Sequence, residues 1–84
     1  MSENKRLLKL TIARVDGPVF DGEVISVAVP GMAGDMELLA GHEALISPLK
    51  TGEVRVKKAD GTTESFTLTQ GTLEVSNNHA TILI

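Results

Sequence analysis

The chain of 84 residues contains no cysteine, no tryptophan, no tyrosine and only two phenylalanines. Without cysteine it can form neither a disulfide framework nor a cysteine-ligated metal site. The scarcity of aromatic rings removes the stacking platforms on which single-stranded nucleic acid binds. A formal net charge of −3 also argues against the clustered lysine and arginine that any nucleic acid requires. We therefore expect no nucleic-acid partner.

Long apolar runs are missing as well, since no uninterrupted run exceeds three residues. Neither a transmembrane helix of about 20 apolar residues nor the apolar core of a signal peptide can be placed. Because domains of roughly 50–200 residues are typical, we expect a single domain over residues 1–84.

Apolar and polar residues alternate along most of the chain, as in half-buried strands. Leu8, Leu10 and Ile12 set this pattern near the start, and residues 80–84 repeat it at the end. Turn pairs such as Asp21-Gly22 separate these runs roughly every 8–12 residues. No segment has a sustained 3.6-residue period. We predict an all-β fold, a small antiparallel β-sandwich of about eight to ten short strands whose hairpins form a meander.

The local sequence also predicts turns, strand faces and the end of one strand. The pairs Asp60-Gly61 and Asn77-Asn78 predict two more turns. In the apolar run from Glu23 to Val29, alternation puts residues 25, 27 and 29 on one face. Pro30 should end that strand, because proline has no N–H for a sheet ladder.

The least regular stretch, residues 30–50, holds three of the eight glycines, two of the three prolines and one of the two histidines. Its glycines indicate positive φ angles or close backbone approach. Between them Met36 and Leu38 alternate with Asp35 and Glu37, which favours a short strand over one helical turn. Because binding sites are usually carried by irregular segments on a rigid scaffold, we interpret this stretch as the working surface.

Catalytic and metal chemistry find little support in these residues. Ser47 lies five residues from His42, but strands do not bring that spacing together as a nucleophile and base. His42 with Asp35, Glu37 or Glu43 could hold a metal, although a solvated histidine is the commoner arrangement. The three carboxylates fit an acid–base pair, a docking surface or a solvated face, and the residues leave these open. We expect no catalytic residue, no metal and no cofactor.

A carrier domain is the alternative function. Small β-sandwiches that carry biotin or lipoate present one lysine at a hairpin tip. Lys57 and Lys58 stand beside the predicted Asp60-Gly61 turn, without the flanking methionines of those domains. Modification on Lys57 or Lys58 would support this interpretation.

A series of short motifs occurs in order along nearly the whole chain. They are Phe20-Asp21-Gly22, Val27-Ala28-Val29-Pro30-Gly31, residues 34–45, Leu49-Lys50-Thr51-Gly52, Phe66-Thr67-Leu68, Gly71 and Glu74-Val75. With this spacing the chain resembles the N-terminal β-sandwich domain of the epsilon subunit of F-type ATP synthases. Relative to that family, Asp35 stands for the usual glutamate, Glu37 for a glycine, Ala40 and Ala44 for prolines, and Gln70 for a glycine.

The resemblance implies a non-catalytic central-stalk (rotor) subunit that couples the gamma subunit to the membrane c-ring in ATP synthesis and proton transport. It implies a c-ring side formed by Asp35, Met36, Glu37 and Leu38. It implies a gamma side formed by Gly41, His42 and Glu43 together with one sheet face. The subunit would lie on the cytoplasmic side of the energy-transducing (inner) membrane, peripheral, and would reach the membrane only through the complex.

The C-terminal pair of helices of that family can restrain ATP hydrolysis, and in some members it binds ATP. The sequence ends at Ile84, within a predicted core strand. We therefore expect a structural coupling role without the inhibitory switch and without a nucleotide site.

Overall fold

The computed structural model describes residues 6–84, and within them it contains eight strands and no helix. The strands are β1 (Leu8–Arg14), β2 (Gly17–Gly31), β3 (Gly34–Leu39), β4 (Leu45–Leu49), β5 (Gly52–Lys58), β6 (Thr63–Leu68), β7 (Gly71–Ser76) and β8 (His79–Leu83). The predicted all-β class is confirmed. The short strand predicted across Asp35 and Leu38 is also confirmed, as β3.

The strands form two layers that share β2. One layer has the order β2–β1–β8–β7–β4, and the other has the order β3–β2–β5–β6. All neighbours are antiparallel except β1 and β8, which are parallel. The predicted meander is therefore wrong, because β1 pairs with the last strand of the chain and β4 pairs with β7.

β2 passes from one layer to the other at a β-bulge. Its first half pairs with β1, and its second half pairs with β5 on one side and β3 on the other. The register with β5 shifts between Val24 and Ser26, so one residue is extra there. A bulge bends the strand and reverses the alternation beyond it. For this reason Val24 and Val27 are both buried, whereas the simple alternation had placed half-buried Ile25 with Val27.

The inward-facing side chains of both layers form one hydrophobic core. Its buried members are Leu8, Leu10, Ile12, Val24, Val27, Val29, Leu38, Leu49, Val54, Val56, Leu68, Leu73, Val75, Ala80 and Ile82. Phe20 and Phe66 pack edge to face beside it, with ring centroids 5.9 Å apart. No polar side chain of residues 6–84 is buried, so hydrophobic burial dominates the stability.

The predicted turns have different outcomes. Asn77 and Asn78 turn the chain with φ angles of 51° and 60°, as expected of a hairpin. At the β5–β6 turn, Asp60 Oδ1 accepts hydrogen bonds from the Thr62 hydroxyl and N–H, which lower the pKa of Asp60. Asp21-Gly22 is not a turn, because both residues lie within β2 opposite β1. Pro30 does not end β2, since the strand continues to Gly31.

Replacing Leu38 with alanine should destabilise the fold, because this side chain is 0% exposed in the core. We expect the free energy of unfolding to fall by about 2–5 kcal/mol in urea denaturation. Leu39→Ala is the matched control, since Leu39 is 52% exposed and its loss should cost less than about 1 kcal/mol. Equal losses in both variants would contradict this assignment of faces along β3.

Candidate functional site

The acidic residues of β3 lie on the outer face of their layer. Alternation along the strand exposes Asp35 and Glu37, leaves Met36 half-buried and turns Leu38 into the core. Leu38 therefore has no surface with which to contact a partner, and its place in the predicted c-ring side is corrected. Leu39 instead stands exposed on the same face as the two carboxylates. Among residues 6–84, β3 pairs only with β2, so its second edge is open.

A groove of about 390 Å³ runs beside Asp35 on this face. The bottom of the groove is formed by the central strand β2. Space remains above it because Ala28 and Pro30 have small side chains. The opposite wall comes from β5, where Arg55 lies across from Ala28 and places its Nε 3.5 Å from a Glu53 carboxylate oxygen. The sequence did not reveal this groove, because it depends on the register between β2 and β5.

The position of Asp35 is fixed by the hairpin that joins β2 to β3. Gly31 closes this hairpin tightly, and a Cβ atom at Gly31 would lie only 2.5 Å from the Gly34 carbonyl oxygen. The hairpin is also tied to the end of β4. Met32 N–H donates to the Pro48 carbonyl oxygen, and Lys50 N–H donates to the Pro30 carbonyl oxygen, both at 2.9 Å. The carboxylate of Asp35 is thus carried by a braced element.

The predicted gamma side forms a loop, residues 40–44, between β3 and β4. Gly41 has a φ of 82°, which favours glycine. His42 N–H donates to the Leu39 carbonyl oxygen at 3.1 Å. The His42 ring places Nδ1 2.9 Å from the Glu43 carbonyl oxygen, which can only accept, so Nδ1 carries a proton. The Glu43 side chain is exposed.

A side chain distant in sequence also holds this loop. Gly41 N–H donates to Asn78 Oδ1, in the β7–β8 turn, at 2.8 Å. Sequence reasoning assigned Asn78 only to a turn. Nothing in its local pattern indicates a partner 37 residues away.

An apolar patch lies next to the loop on the outer face of the other layer. Ile46 on β4 is 74% exposed, and Leu83 on β8 is 55% exposed. Pro48 and Leu83 both lie opposite Thr72 on β7, and Ile46 lies opposite Glu74, so polar residues of β7 stand between the apolar members of the patch. The loop leads directly into β4, so Ile46 lies next to it, whereas Pro48 and Leu83 lie toward the other end of β4. Exposed apolar clusters of this kind mark protein contacts.

The alternative chemistries lose support in the structure. The Ser47 hydroxyl donates to the Pro48 carbonyl oxygen, and the His42 ring is bonded to Glu43, so neither activates the other. Lys57 and Lys58 are the last two residues of β5 rather than a hairpin tip. Lys58 Nζ also lies 3.1 Å from a Glu64 carboxylate oxygen.

Residues 6–84 contain neither a cluster of metal ligands nor a membrane-spanning helix. No group of three or more histidine, aspartate or glutamate side chains converges as a metal site there. That part of the chain also has no helix long and apolar enough to cross a membrane.

The β-sandwich and its residues match a known family. The family model for the beta-sandwich domain of the ATP synthase delta/epsilon chain matches residues 7–84. The chain belongs to this family. This match also agrees with the eight observed strands and their shared core.

Curated relatives of this family member are named ATP synthase epsilon chain. Those of Latilactobacillus sakei and Bacillus subtilis are 40% and 42% identical over 99% and 93% of this chain. The chain spans 59% and 58% of their lengths. The relative of Chlorobium limicola is 37% identical over 99% of this chain, which spans 94% of that protein.

Solved structures share the fold of this family member. A chain of the Euglena gracilis mitochondrial ATP synthase, determined as an OSCP/F1/c-ring assembly, superposes over 99% of this chain and 52% of its own length. Its TM-score is 0.85 at 22% identity. A chain of the Tetrahymena thermophila mitochondrial ATP synthase central stalk and c-ring has a TM-score of 0.73 at 16% identity, over 99% of this chain and 65% of that one.

Gly41→Ala should destabilise the loop, because an alanine at a φ of 82° is strained by about 1–2 kcal/mol. The added methyl group would meet the flexible Arg6 guanidinium, which can move, so backbone strain should dominate. The measurement is the melting temperature of Gly41→Ala compared with that of Gly41→Asn. Asparagine tolerates this conformation better, so Gly41→Asn should melt at the higher temperature. The reverse order would contradict the role of φ at this position.

Proposed function

We propose that this chain acts as a non-catalytic rotor component of an F-type ATP synthase and joins the gamma subunit to the c-ring. The family match over residues 7–84 carries this proposal. The names of the curated relatives and the central-stalk assemblies among the structural neighbours support it. The component would be peripheral on the cytoplasmic side of the energy-transducing membrane, bound there through the complex and without a bound nucleotide.

The c-ring side of the proposal consists of the outer face of β3. Asp35 and Glu37 are exposed on it, and half-buried Met36 adds its partly accessible side chain. Two carboxylates on one rigid strand suit basic or polar loops, because charge complementarity sets register and speeds encounter more than it adds affinity. Glu37, where the family has a glycine, extends the acidic face along the strand.

The gamma side consists of the loop 40–44 and the adjoining apolar patch. His42 offers a ring whose orientation is fixed by the bond of Nδ1 to the Glu43 carbonyl oxygen. Ile46 and Leu83 supply exposed apolar area on the adjoining face. An ordered polar group beside exposed apolar side chains is the composition expected of a stable protein interface.

Asp35→Lys should weaken binding to the c-ring without changing the fold, because it reverses a charge at the proposed contact. Like charges across an interface cost several kcal/mol, whereas exposed substitutions change stability by about 0.5 kcal/mol. Pull-down with c-ring in detergent at low salt measures the first effect, and thermal melting measures the second.

Asp16→Lys is the charge-matched control, since Asp16 is exposed in the β1–β2 turn. It should leave the pull-down unchanged. Equal loss of c-ring binding in both variants would show that the effect comes from the change in net charge and not from a contact at Asp35. Recovery of neither c-ring nor gamma by the unaltered chain would overturn the proposed function.

His42→Ala should weaken binding to gamma about five- to tenfold, the effect of losing a contact of moderate energy at an interface. The dissociation constant for purified gamma measures this. Thr63→Ala, at an exposed position of β6 in the other layer, is the control and should bind normally. Unchanged affinity of His42→Ala would remove the loop from the gamma contact.

A further inference from the structure

The β7–β8 turn supplies a side-chain clamp for the proposed gamma-binding loop. Asn78 Oδ1 accepts a hydrogen bond from Gly41 N–H at 2.8 Å, and Asn78 Nδ2 donates to the Leu7 carbonyl oxygen at 2.9 Å. Both the carbonyl oxygen and the NH2 group of the Asn78 side chain are therefore hydrogen-bonded. This single side chain links the loop, the turn and the residue preceding β1.

The turn itself does not require this amide. Asn78 has a φ of 60°, a conformation that glycine adopts with less strain than any other residue. A glycine would therefore complete the hairpin equally well, and only the side chain of Asn78 reaches the loop. Asn77 has almost the same φ, 51°, but within residues 6–84 its side chain forms no hydrogen bond.

The loop has few other restraints of its own. Residues 40–44 take part in no strand pairing, and His42 N–H to the Leu39 carbonyl oxygen is the backbone hydrogen bond that spans the turn. Gly41 directly precedes His42, so a bond that holds the Gly41 N–H restricts the backbone from which the His42 ring projects. A clamp at Gly41 thus acts on the proposed contact residue without touching it.

We propose that Asn78 is the positioning residue of the 40–44 loop and holds it in the conformation that binds gamma. This inference rests on the proposed function for its binding consequence, but not for its effect on the loop. The clamp reduces the conformational freedom that the loop would otherwise lose on association.

The test compares Asn78→Gly with Asn77→Gly. Both variants place glycine in the same turn and loosen the unfolded chain equally, so only the clamp differs. NMR hydrogen exchange on the 84-residue chain should show the Gly41 amide exchanging about fivefold or more faster in Asn78→Gly, and unchanged in Asn77→Gly.

Lys9 provides an internal control, because its N–H donates to the backbone carbonyl oxygen of Asn78 at 3.1 Å. That bond needs no side chain, so the Lys9 amide should keep its protection in both variants. Faster exchange at both Gly41 and Lys9 in Asn78→Gly would mean that the turn opens, and would overturn the clamp. Unchanged exchange at Gly41 would overturn it as well.

The affinity for gamma then distinguishes the positioning of the loop by Asn78 from the role of the loop in gamma binding. The affinity of Asn78→Gly for purified gamma should fall about fivefold, and that of Asn77→Gly should not change. Faster Gly41 exchange with unaltered gamma affinity would keep Asn78 as the positioning residue of the loop. The same result would overturn its place in gamma binding, whereas the assignment of this loop to the gamma side is decided separately by His42→Ala.

Discussion

The whole structure depends on β2 remaining one continuous strand while it changes layers. The bulge between Val24 and Ser26 allows this, because one extra residue bends the strand and lets both of its halves face the core. The first half then pairs with β1, and the second half lies between β3 and β5. Within residues 6–84, the pair of Gly31 on β2 with Leu49 on β4 is a second link between the two layers.

Local alternation predicts strands well, and pairing between strands less well. Leu8, Leu10 and Ile12 are all buried, as their spacing indicates. Asp21-Gly22 has the composition of a turn, yet its cross-strand neighbours on β1 keep it extended, because tertiary pairing outweighs a local preference. The parallel contact of β1 with β8 joins the two ends of the chain. No local signal specifies such a partner, so the meander could not have been avoided from the pattern alone.

Some features of the candidate site likewise follow from the local sequence pattern, and others depend on contacts between distant segments. The exposure of Asp35 and Glu37 follows from the alternation along β3, and so does the burial of Leu38, which the pattern already implied. The groove beside Asp35 depends on the register of Ala28 with Arg55, and the clamp at Gly41 depends on Asn78. Both arise where segments distant in sequence meet, so composition and spacing carry no trace of them.

β3 connects the two proposed contact regions as a single stiff element. At about 3.4 Å per residue, its exposed positions from Asp35 to Leu39 span about 14 Å, and the His42 loop begins directly after them. The strand is braced at its start by the bond from Met32 to Pro48 and just after its end by Asn78. Partners bound at the two ends would therefore be held at a fixed separation, because β3 is paired along β2 and the loop after it is held by Asn78. Such an element suits the transmission of torque, whereas a conformational switch would need a second arrangement of the same residues.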